Sequence, residues 1–473
     1  MQSNIYRILR VALSLFFVLI LTGCSSNQPE YDLIISNVNL IDGTGKPLRP
    51  NTNVFVKDGK IVKINSKTIQ TDNSDRNLDG SGKYLIPGLI DAHMHLLDGK
   101  DQFEKVKRQM HQCIHYGITT ILIPGGSNAS YPEIDTLVQQ ERKNSIISPH
   151  IYYTSLICTI KGAHPMKTYG ANYYKDSVSV YVVKGTDHIK HIVKEAAEHN
   201  ALGMKIIVED GPAPPFVRRM PANYVSAFSS ESAKYNLKVF AHISDMEEAK
   251  ICVNNGVDAL MHFTGVRVNW QNDRKFIDKV VTDSISWVTT VMIAKSFYYP
   301  LHKERLDLEE LRKVYGSDEI DPLLDADGSL EKESRKILSR YSPSGKVPPS
   351  KTIIIPMMQD IKKLYDKGVN IVMGTDVGGR PYILPGISVH EEMELMQQGG
   401  IPPIDIIKIS THNAAKMLGI LHKTGTIEQE KTADMVLLNE NPLEDISNTL
   451  SIQQVIKDGT IQRRIAGPNG EES

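Results

Sequence analysis

Residues 87–95 read PGLIDAHMH, and the interpretation of the whole chain starts from this run. The apolar part ends in two histidines, His93 and His95, spaced i and i+2, and a β-strand points such a pair to one face. At the carboxyl end of a strand in a parallel barrel, that face opens into the mouth, where active sites lie. Two imidazoles a few ångströms apart suit a borderline metal such as zinc. The alternative is two histidines in a surface loop.

Further metal-competent side chains end β-rich runs downstream. The runs KVFAH, DALMH and NIVMGTD end in His242, His262 and Asp376. A single histidine at a strand end is usually a hydrogen-bonded structural group. Four histidines and one aspartate at strand ends instead favour a shared site on one rim.

Short β-rich runs alternate with helical stretches over residues 83–424. We predict strands at 84–90, 119–123, 150–155, 204–208, 239–243, 259–263, 287–292 and 371–374. Eight strands alternating with helices predict an α/β fold, a (β/α)8 TIM barrel. The polar segment at about 296–350 is too long for a simple loop, and we predict a helical insertion beside the barrel mouth.

The two flanks of the barrel carry short strands separated by turns. Residues 31–41, 52–57 and 61–64 show strand periodicity before the barrel, as do 433–438 and 452–457 after it. Neither flank is long enough to bury a core alone. We therefore predict that residues 24–82 and 425–473 pair in one small β-sandwich formed from both chain ends.

The N-terminus has the pattern of a lipoprotein signal peptide over residues 1–23. Arg7 and Arg10 precede an apolar run that is too short to span a bilayer and that ends in LTGC, with Cys24 last. This ending resembles a bacterial lipobox, which implies cleavage before Cys24 and lipidation of its thiol. We expect a lipid-anchored protein of the bacterial cell envelope, in the outer membrane if the host has one. The alternative is an ordinary secretory signal that contains a cysteine.

Composition excludes several classes of protein. The chain has 473 residues, a formal net charge of −1 and 41% hydrophobic residues, which argues against disorder and against binding to nucleic acid. Four cysteines cannot form a disulfide framework in a chain of this length. We predict that Cys113, Cys158 and Cys252 are buried thiols.

Taken together, these motifs resemble the amidohydrolase superfamily, in the branch of imidazolonepropionase-like hydrolases and metal-dependent prolidases and dipeptidases. The resemblance covers nearly all of the mature chain. It rests on PGLIDAHMH, on YGITT at 116–120, on GTD at 374–376, on THNAA at 411–415 and on the closing run at 425–437. It implies that His93, His95 and Asp376 bind a buried divalent metal, and that His242 and His262 bind a more exposed one.

The resemblance also gives a role to Lys205, in the run GMKII. Binuclear members bridge their metals with a carboxylated lysine at the end of the fourth strand, where Lys205 is expected. A lysine ammonium beside two cations would be costly, whereas its carbamate is an anion with two oxygen ligands. We expect two zinc ions per chain. The alternative is a surface lysine.

The implied activity is metal-dependent hydrolysis of amide (C–N) bonds, with dipeptides or N-acyl amino acids as small-molecule or short-peptide substrates. Asp376 would act as the catalytic acid/base that passes a proton to the leaving nitrogen. One alternative is a deaminase, or a cyclic-amide or lactone hydrolase, on the same scaffold. Another is a non-catalytic binding lipoprotein. Lys205 argues against mononuclear deaminases, and retention of the five metal positions argues against a non-catalytic protein.

The sequence gives weaker support to roles for three further residues. His164 lies where relatives often carry a histidine that faces the mouth, although they show GGH where this chain has GAH. Arg218 is a candidate to bind a substrate carboxylate, and a solvated charge pair with Arg219 is the alternative. Asp245, three residues after His242, is interpreted as a helix N-cap.

Overall fold

The computed structural model describes residues 30–67, 74, 76–95, 103–125, 129–168, 175–211, 216–302, 308–324, 327–342 and 344–465. The predicted signal peptide and Cys24 therefore lie outside the described residues. Within the described ranges, no helix combines the length and the apolar character that a membrane span needs.

The strands have the following bounds: β1 Leu33–Leu40, β2 Arg49–Lys57, β3 Lys60–Asn65, β4 Asn77–Asp79, β5 Tyr84–Pro87, β6 Leu89–Asp91, β7 Ile118–Ile123, β8 His150–Tyr153, β9 Ile157–Ile160, β10 Val180–Val183, β11 Gly203–Ile207, β12 Lys238–His242, β13 Ala259–Met261, β14 Ser286–Val288, β15 Asn370–Val372, β16 Met435–Leu438, β17 Ile452–Lys457 and β18 Thr460–Ile461.

The α-helices have the following bounds: α1 Phe103–His115, α2 Tyr131–Arg142, α3 Thr186–Glu198, α4 Ala222–Ala233, α5 Met246–Asn254, α6 Arg274–Thr282, α7 Met292–Ser296, α8 Leu308–Tyr315, α9 Ser317–Ile320, α10 Ser329–Leu338, α11 Ser350–Asp366, α12 Ile387–Gln398, α13 Pro403–Lys408 and α14 Ala414–Leu418. Shorter helical turns cover Tyr299–Leu301, Asp321–Leu324, Ser339–Tyr341 and Ile446–Leu450, and a π-helical turn covers Ile409–Asn413.

Parallel strands form the predicted barrel. β6, β7 and β8 pair in that order, and β11 to β15 pair in sequence order. Tyr153 O accepts a 2.8 Å hydrogen bond from Leu202 N, which joins β8 to the start of β11. Ala92 N donates to Met373 O at 3.2 Å, which joins the end of β6 to the end of β15. The ring is thereby closed, and the fold is the expected (β/α)8 barrel.

The predicted first barrel strand, 84–90, is in fact two strands in two different sheets. β5 pairs with β1 and β16, whereas β6 pairs with β7. The chain changes sheets at Gly88, where an added Cβ would lie 2.0 Å from Thr119 Oγ1. An apolar run does not show this break, because the contact that requires glycine comes from another strand.

Within the barrel segment, two strands were not predicted from the sequence. β9 follows β8 after a short break and pairs with β11 at Lys205, and β10 pairs with β9 on its other side. The segment between the third and fourth barrel strands therefore adds two parallel strands near the mouth. Both strands are short apolar runs, which periodicity alone does not distinguish from buried helix.

Strands from both chain ends lie in one sheet, in the order β18-β17-β16-β5-β1-β2-β3, with β4 also paired to β1. Val436 pairs with Ile86, which ties the C-terminal flank to the N-terminal one. Hydrogen bonds connect all eight strands continuously. Leu33, Ile35, Val54, Leu437 and Ile456 are among the residues of its core.

A buried charged cluster links this sheet to the amino end of the barrel. His150, at the start of β8, places Nδ1 3.1 Å from Glu141 Oε1 and Nε2 3.4 Å from Asp434 Oδ2. Lys457 Nζ lies 2.8 Å from Glu141 Oε1. Burial lowers the pKa of His150, but the negative charges of Asp434 and Glu141 outweigh it and raise this pKa to about 10.

The His150 cluster predicts a pH-dependent contribution to stability. The imidazole of an unfolded chain has a pKa of about 6.5. The raised pKa of folded His150 therefore stabilises the protein fully below about pH 6.5, and this stabilisation is lost as the pH rises through about 10. In urea unfolding, His150→Gln should lower the free energy of unfolding more at pH 6 than at pH 10. The difference should be at least about 1.4 kcal/mol, the energy that corresponds to one pKa unit. A difference that does not change with pH would contradict this prediction. His191→Gln, at an exposed position, is the control.

Candidate metal centre

Three of the predicted site residues meet where the barrel closes. His93 and His95 follow β6, and Asp376 follows β15. Asp376 Oδ1 lies 3.2 Å from His93 Nε2 and 3.0 Å from His95 Nε2. Burial raises the pKa of Asp376, but the neighbouring histidines outweigh this effect, and the pKa falls well below its ordinary value. The carboxylate is therefore ionised, and both imidazoles face it.

His242 and His262 form the other half of the site. His242 Nδ1 lies 2.8 Å from His262 Nε2, and the His262 and His93 rings are 4.5 Å apart between centroids. Burial lowers the pKa of both His242 and His262 well below the ordinary value, so each ring is neutral at pH 7. Neutral imidazole is the form that binds metals. The five predicted ligands thus lie around one region of the mouth.

In His95, His242 and His262, a protein group contacts one ring nitrogen and fixes the ring orientation. His95 Nδ1 lies 2.6 Å from the carbonyl oxygen of Gly125, and His262 Nδ1 lies 2.9 Å from Thr290 Oγ1. His242 Nε2 contacts Glu209 Oε2. An acceptor on one ring nitrogen holds the proton there and leaves the other nitrogen free for a metal.

Lys205 lies among these groups and is 1% exposed. Its Nζ makes no hydrogen bond to the described residues. Burial lowers the pKa of Lys205 to about 7, although the negative charges of Asp376 and Glu209 oppose this shift. Lys205 is therefore not a surface lysine, and a large share of it is the neutral amine at neutral pH.

Two of these residues adopt left-handed backbone conformations. The φ angle is 63° at Asp376 and 80° at His262, which is uncommon for residues with a side chain. Surrounding bonds hold both conformations: Asp376 N donates to His93 O at 2.8 Å, and Trp287 Nε1 donates to His262 O at 2.8 Å. Such conformations persist where the surrounding structure determines them, and they concentrate at functional sites.

Asp91 connects the two sides of the site. It is fully buried, and its Oδ1 accepts from the backbone N–H groups of His93 and Thr375, each at 3.1 Å. Its Oδ2 accepts from Thr375 Oγ1 at 2.5 Å. Burial raises the pKa of Asp91 to about 7. Asp91 thus joins the His93 backbone to Thr375, the neighbour of Asp376, and reinforces the direct bond from Asp376 N to His93 O.

A cleft of about 570 Å³ opens above these residues. At its floor lie His95, Lys205, His242, His262 and Asp376. Its apolar walls include Pro165, Pro322, Leu323, Pro381, Leu384 and Pro385, and its polar lining includes Lys105, Gln109, Asp318, Glu319 and Arg380. Asp318, Glu319, Pro322 and Leu323 come from the segment at 296–350, so this segment, which contains α8, α9 and α10, forms part of the mouth.

The weaker sequence candidates have different positions. His164 lines the cleft, with its ring 5.3 Å from that of His242 and its Nδ1 2.6 Å from Thr168 Oγ1. Arg218 is exposed, donates to Lys161 O at 3.4 Å and is not among the described residues that line the cleft. Asp245 is confirmed as a helix N-cap, because it accepts from Glu248 N at 2.8 Å. Cys113, Cys158 and Cys252 are buried free thiols, as predicted.

Glu209 was not predicted from the sequence. It follows β11, is 5% exposed and contacts His242. Burial raises its pKa. The available signal was its place after the run that contains Lys205, since a carboxylate just beyond an apolar strand of a barrel lies on the rim.

The chain is similar to several known proteins over most of its length. The chain is 20% identical to ochratoxinase of Aspergillus niger, over 95% of this chain and 90% of that protein. It is 22% identical to imidazolonepropionase of Thermoplasma volcanium, over 86% and 88%. The crystal structure of a Xaa-Pro dipeptidase with bound methionine in the active site matches with a TM-score of 0.69 and 22% identity, covering 91% of this chain and 99% of that one.

The amidohydrolase family matches residues 84–461, which contain all the barrel strands and every residue of the site above. The chain therefore belongs to the amidohydrolase family, whose members are metal-dependent hydrolases of carbon–nitrogen bonds.

Proposed function

We propose that this protein hydrolyses the amide bond of dipeptides or N-acyl amino acids and uses two divalent metal ions, zinc in both positions. One observation carries the proposal: the Asp376 carboxylate, the buried Lys205 amine and the imidazoles of His95, His242 and His262 line one cleft, and His93 Nε2 lies 3.2 Å from Asp376 Oδ1. Imidazole nitrogen and carboxylate oxygen are donors that zinc prefers.

The nitrogen and oxygen atoms of the site are better satisfied by bound cations than by contacts with one another. Neither ring nitrogen of the fully buried His93 makes a well-directed hydrogen bond to the described residues, although Nε2 lies 3.2 Å from Asp376. Leaving a buried polar atom unpaired costs about 1–3 kcal/mol. His242 and His262 face each other through nitrogens that a cation could share. A metal at each position would satisfy His93 Nε2 and the facing nitrogens of His242 and His262.

Lys205 fits the role of a bridging group. A neutral amine is the form that reacts with carbon dioxide, and burial favours this form of Lys205. The resulting carbamate would turn an unpaired buried nitrogen into an anionic ligand with two oxygen atoms. His93, His95 and Asp376 would hold one metal, His242 and His262 the other, and carboxylated Lys205 would bridge them.

The chain's own groups then divide the work of hydrolysis. A bound divalent cation polarises a carbonyl and lowers the pKa of water toward ~7. Asp376, ionised and at the floor of the cleft, accepts the proton of the attacking water and returns it to the leaving nitrogen. The apolar walls exclude bulk water from the scissile bond. We assign a substrate contact to His164, because it lines the cleft beside His242.

The cleft supports a substrate of dipeptide size. Its volume is about 570 Å³, its walls are rich in proline and leucine, and charged side chains line it farther out. The Xaa-Pro dipeptidase with the same fold is consistent with a short-peptide substrate. A screen of Xaa-Pro and Xaa-Leu dipeptides against N-acetyl amino acids tests this proposal. Absence of hydrolysis across both series with zinc-loaded protein would reject it.

The bridging role of Lys205 can be tested by metal analysis. Lys205→Ala should lower the metal content from about two ions per chain to one or fewer and abolish most turnover, because the bridge is lost. Lys205→Met keeps the side-chain volume and should lose metal in the same way. Acetate can supply a carboxylate in the space left by alanine. It should therefore partly restore metal binding to Lys205→Ala but not to Lys205→Met. Two ions and full activity in Lys205→Ala would show that Lys205 does not bridge.

Asp376→Asn separates proton transfer from metal binding. The amide keeps the shape and a weak oxygen ligand but cannot accept the proton, so kcat should fall by roughly 10²–10⁴-fold. Metal content, measured on the same samples, should fall much less than in His93→Ala. Parallel loss of metal and activity would make Asp376 chiefly a ligand, and near-normal kcat would remove it from the mechanism.

Envelope anchoring through Cys24 is a separate proposal, supported by the basic and apolar pattern before LTGC. A lipid on Cys24 would hold the protein at a membrane without a spanning helix. Cys24→Ala should release the protein into the soluble fraction or leave it uncleaved, with kcat/KM unchanged. Metabolic labelling with palmitate is the measurement, and a wild-type protein without label would refute lipidation.

A further inference from the structure

One buried carboxylate joins two loops of the barrel mouth. Glu248, in the first turn of α5, is 0% exposed. Its Oε1 accepts from Asp210 N at 2.9 Å, and its Oε2 accepts from Ser244 N at 2.6 Å and Asp245 N at 3.2 Å. Asp210 follows β11 and Ser244 follows β12. A single side chain therefore fixes the ends of the fourth and fifth barrel strands relative to each other.

These contacts go beyond helix capping. A capping box needs only the reciprocal bonds between Asp245 and Glu248, which are present. The bond from Asp210 comes from a different strand and takes no part in the cap. Arg219 supplies the compensating charge: its Nη2 lies 2.9 Å from Asp210 Oδ2 and its Nε lies 3.4 Å from Glu248 Oε1. Glu248 is thus hydrogen-bonded through both oxygens and has a cation beside it, while burial raises its pKa to about 7.

The two loops carry a pair of interacting residues of the metal centre. Glu209 precedes Asp210, and His242 lies two residues before Ser244. Glu209 Oε2 contacts His242 Nε2, and His242 Nδ1 faces His262 Nε2 at 2.8 Å. When Glu209 is ionised it can only accept, so this contact then places the proton of His242 on Nε2 and turns Nδ1 toward His262.

We propose that Glu248 is a positioning residue for the second metal. By holding both loops, it keeps Glu209 on Nε2 of His242, so that Nδ1 of His242 is directed at the position shared with His262. The inference rests on the metal centre of the proposed function, but it does not depend on the substrate. Loss of a group that orients a ligand histidine weakens metal binding by about 10–100-fold.

Glu248→Gln tests the proposal, since the amide keeps the shape but offers only one acceptor atom for contacts made to two. When zinc is competed away with increasing chelator, Glu248→Gln should bind the ion at His242 and His262 10–100-fold less tightly than the wild type does. The ion at His93 and His95 should be retained. In metal-free protein labelled with [15N]histidine, NMR should show His242 protonated on Nε2 in the wild type and in both tautomers in Glu248→Gln. Glu209→Gln should reproduce both effects.

Two matched variants separate positioning from general stability. Glu247→Gln removes an exposed carboxylate from the same turn and should change neither measurement. Asp245→Asn retains a capping side chain and leaves the bond from Asp210 to Glu248, so both metals should stay bound and the Tm should change little.

Some outcomes would overturn the assignment. If Glu248→Gln lowers the Tm but binds both ions with wild-type affinity and keeps the His242 tautomer, Glu248 is only a structural cap. If Glu248→Gln does not fold, Glu248→Asp replaces it, because the shorter carboxylate cannot reach both loops, and the same two measurements decide. If the wild type cleaves none of the amides offered, the proposed function fails, while the metal-affinity and tautomer comparisons still decide the role of Glu248.

Discussion

The hydrogen bonds that the Asp91 carboxylate accepts across the barrel seam are the constraint on which the rest of the site depends. A ring of parallel strands presents its carboxyl ends together only if the first strand meets the last. Asp91 holds that contact through Thr375 and the His93 backbone, with no exposure to solvent. Together with the backbone bonds from Ala92 N to Met373 O and from Asp376 N to His93 O, it keeps His93 and His95 in contact with Asp376.

Much of the fold and of the site was predictable because the relevant signals are local. His93, His95, His242, His262 and Asp376 each end an apolar run, and strand direction then places them on one rim. Roles that depend on contacts between strands were not predictable. The break at Gly88 reflects the side chain of Thr119, and the role of Glu209 depends on which nitrogen of His242 faces it. One sequence shows residue types and their spacing, and it does not show which atoms of distant residues meet.

The two ends of the barrel differ in how their polar groups are paired. The carboxyl end contains strained or unpaired groups: left-handed backbone at Asp376 and His262, and a buried amine at Lys205. The amino end contains groups whose charges are paired, such as His150 with Asp434 and Lys457 with Glu141. This division matches the general separation of function and stability between the faces of such barrels.

The sheet built from both flanks has a consequence for biosynthesis. β5 is made early, yet its partner β16 leaves the ribosome about 350 residues later. At roughly 5–20 residues per second, the edge of β5 waits some tens of seconds before Val436 and its neighbours can cover it. An uncovered strand edge is a template for pairing with other chains. Premature termination before β16 would therefore leave a fragment in which this edge of β5 stays open to pairing with other chains.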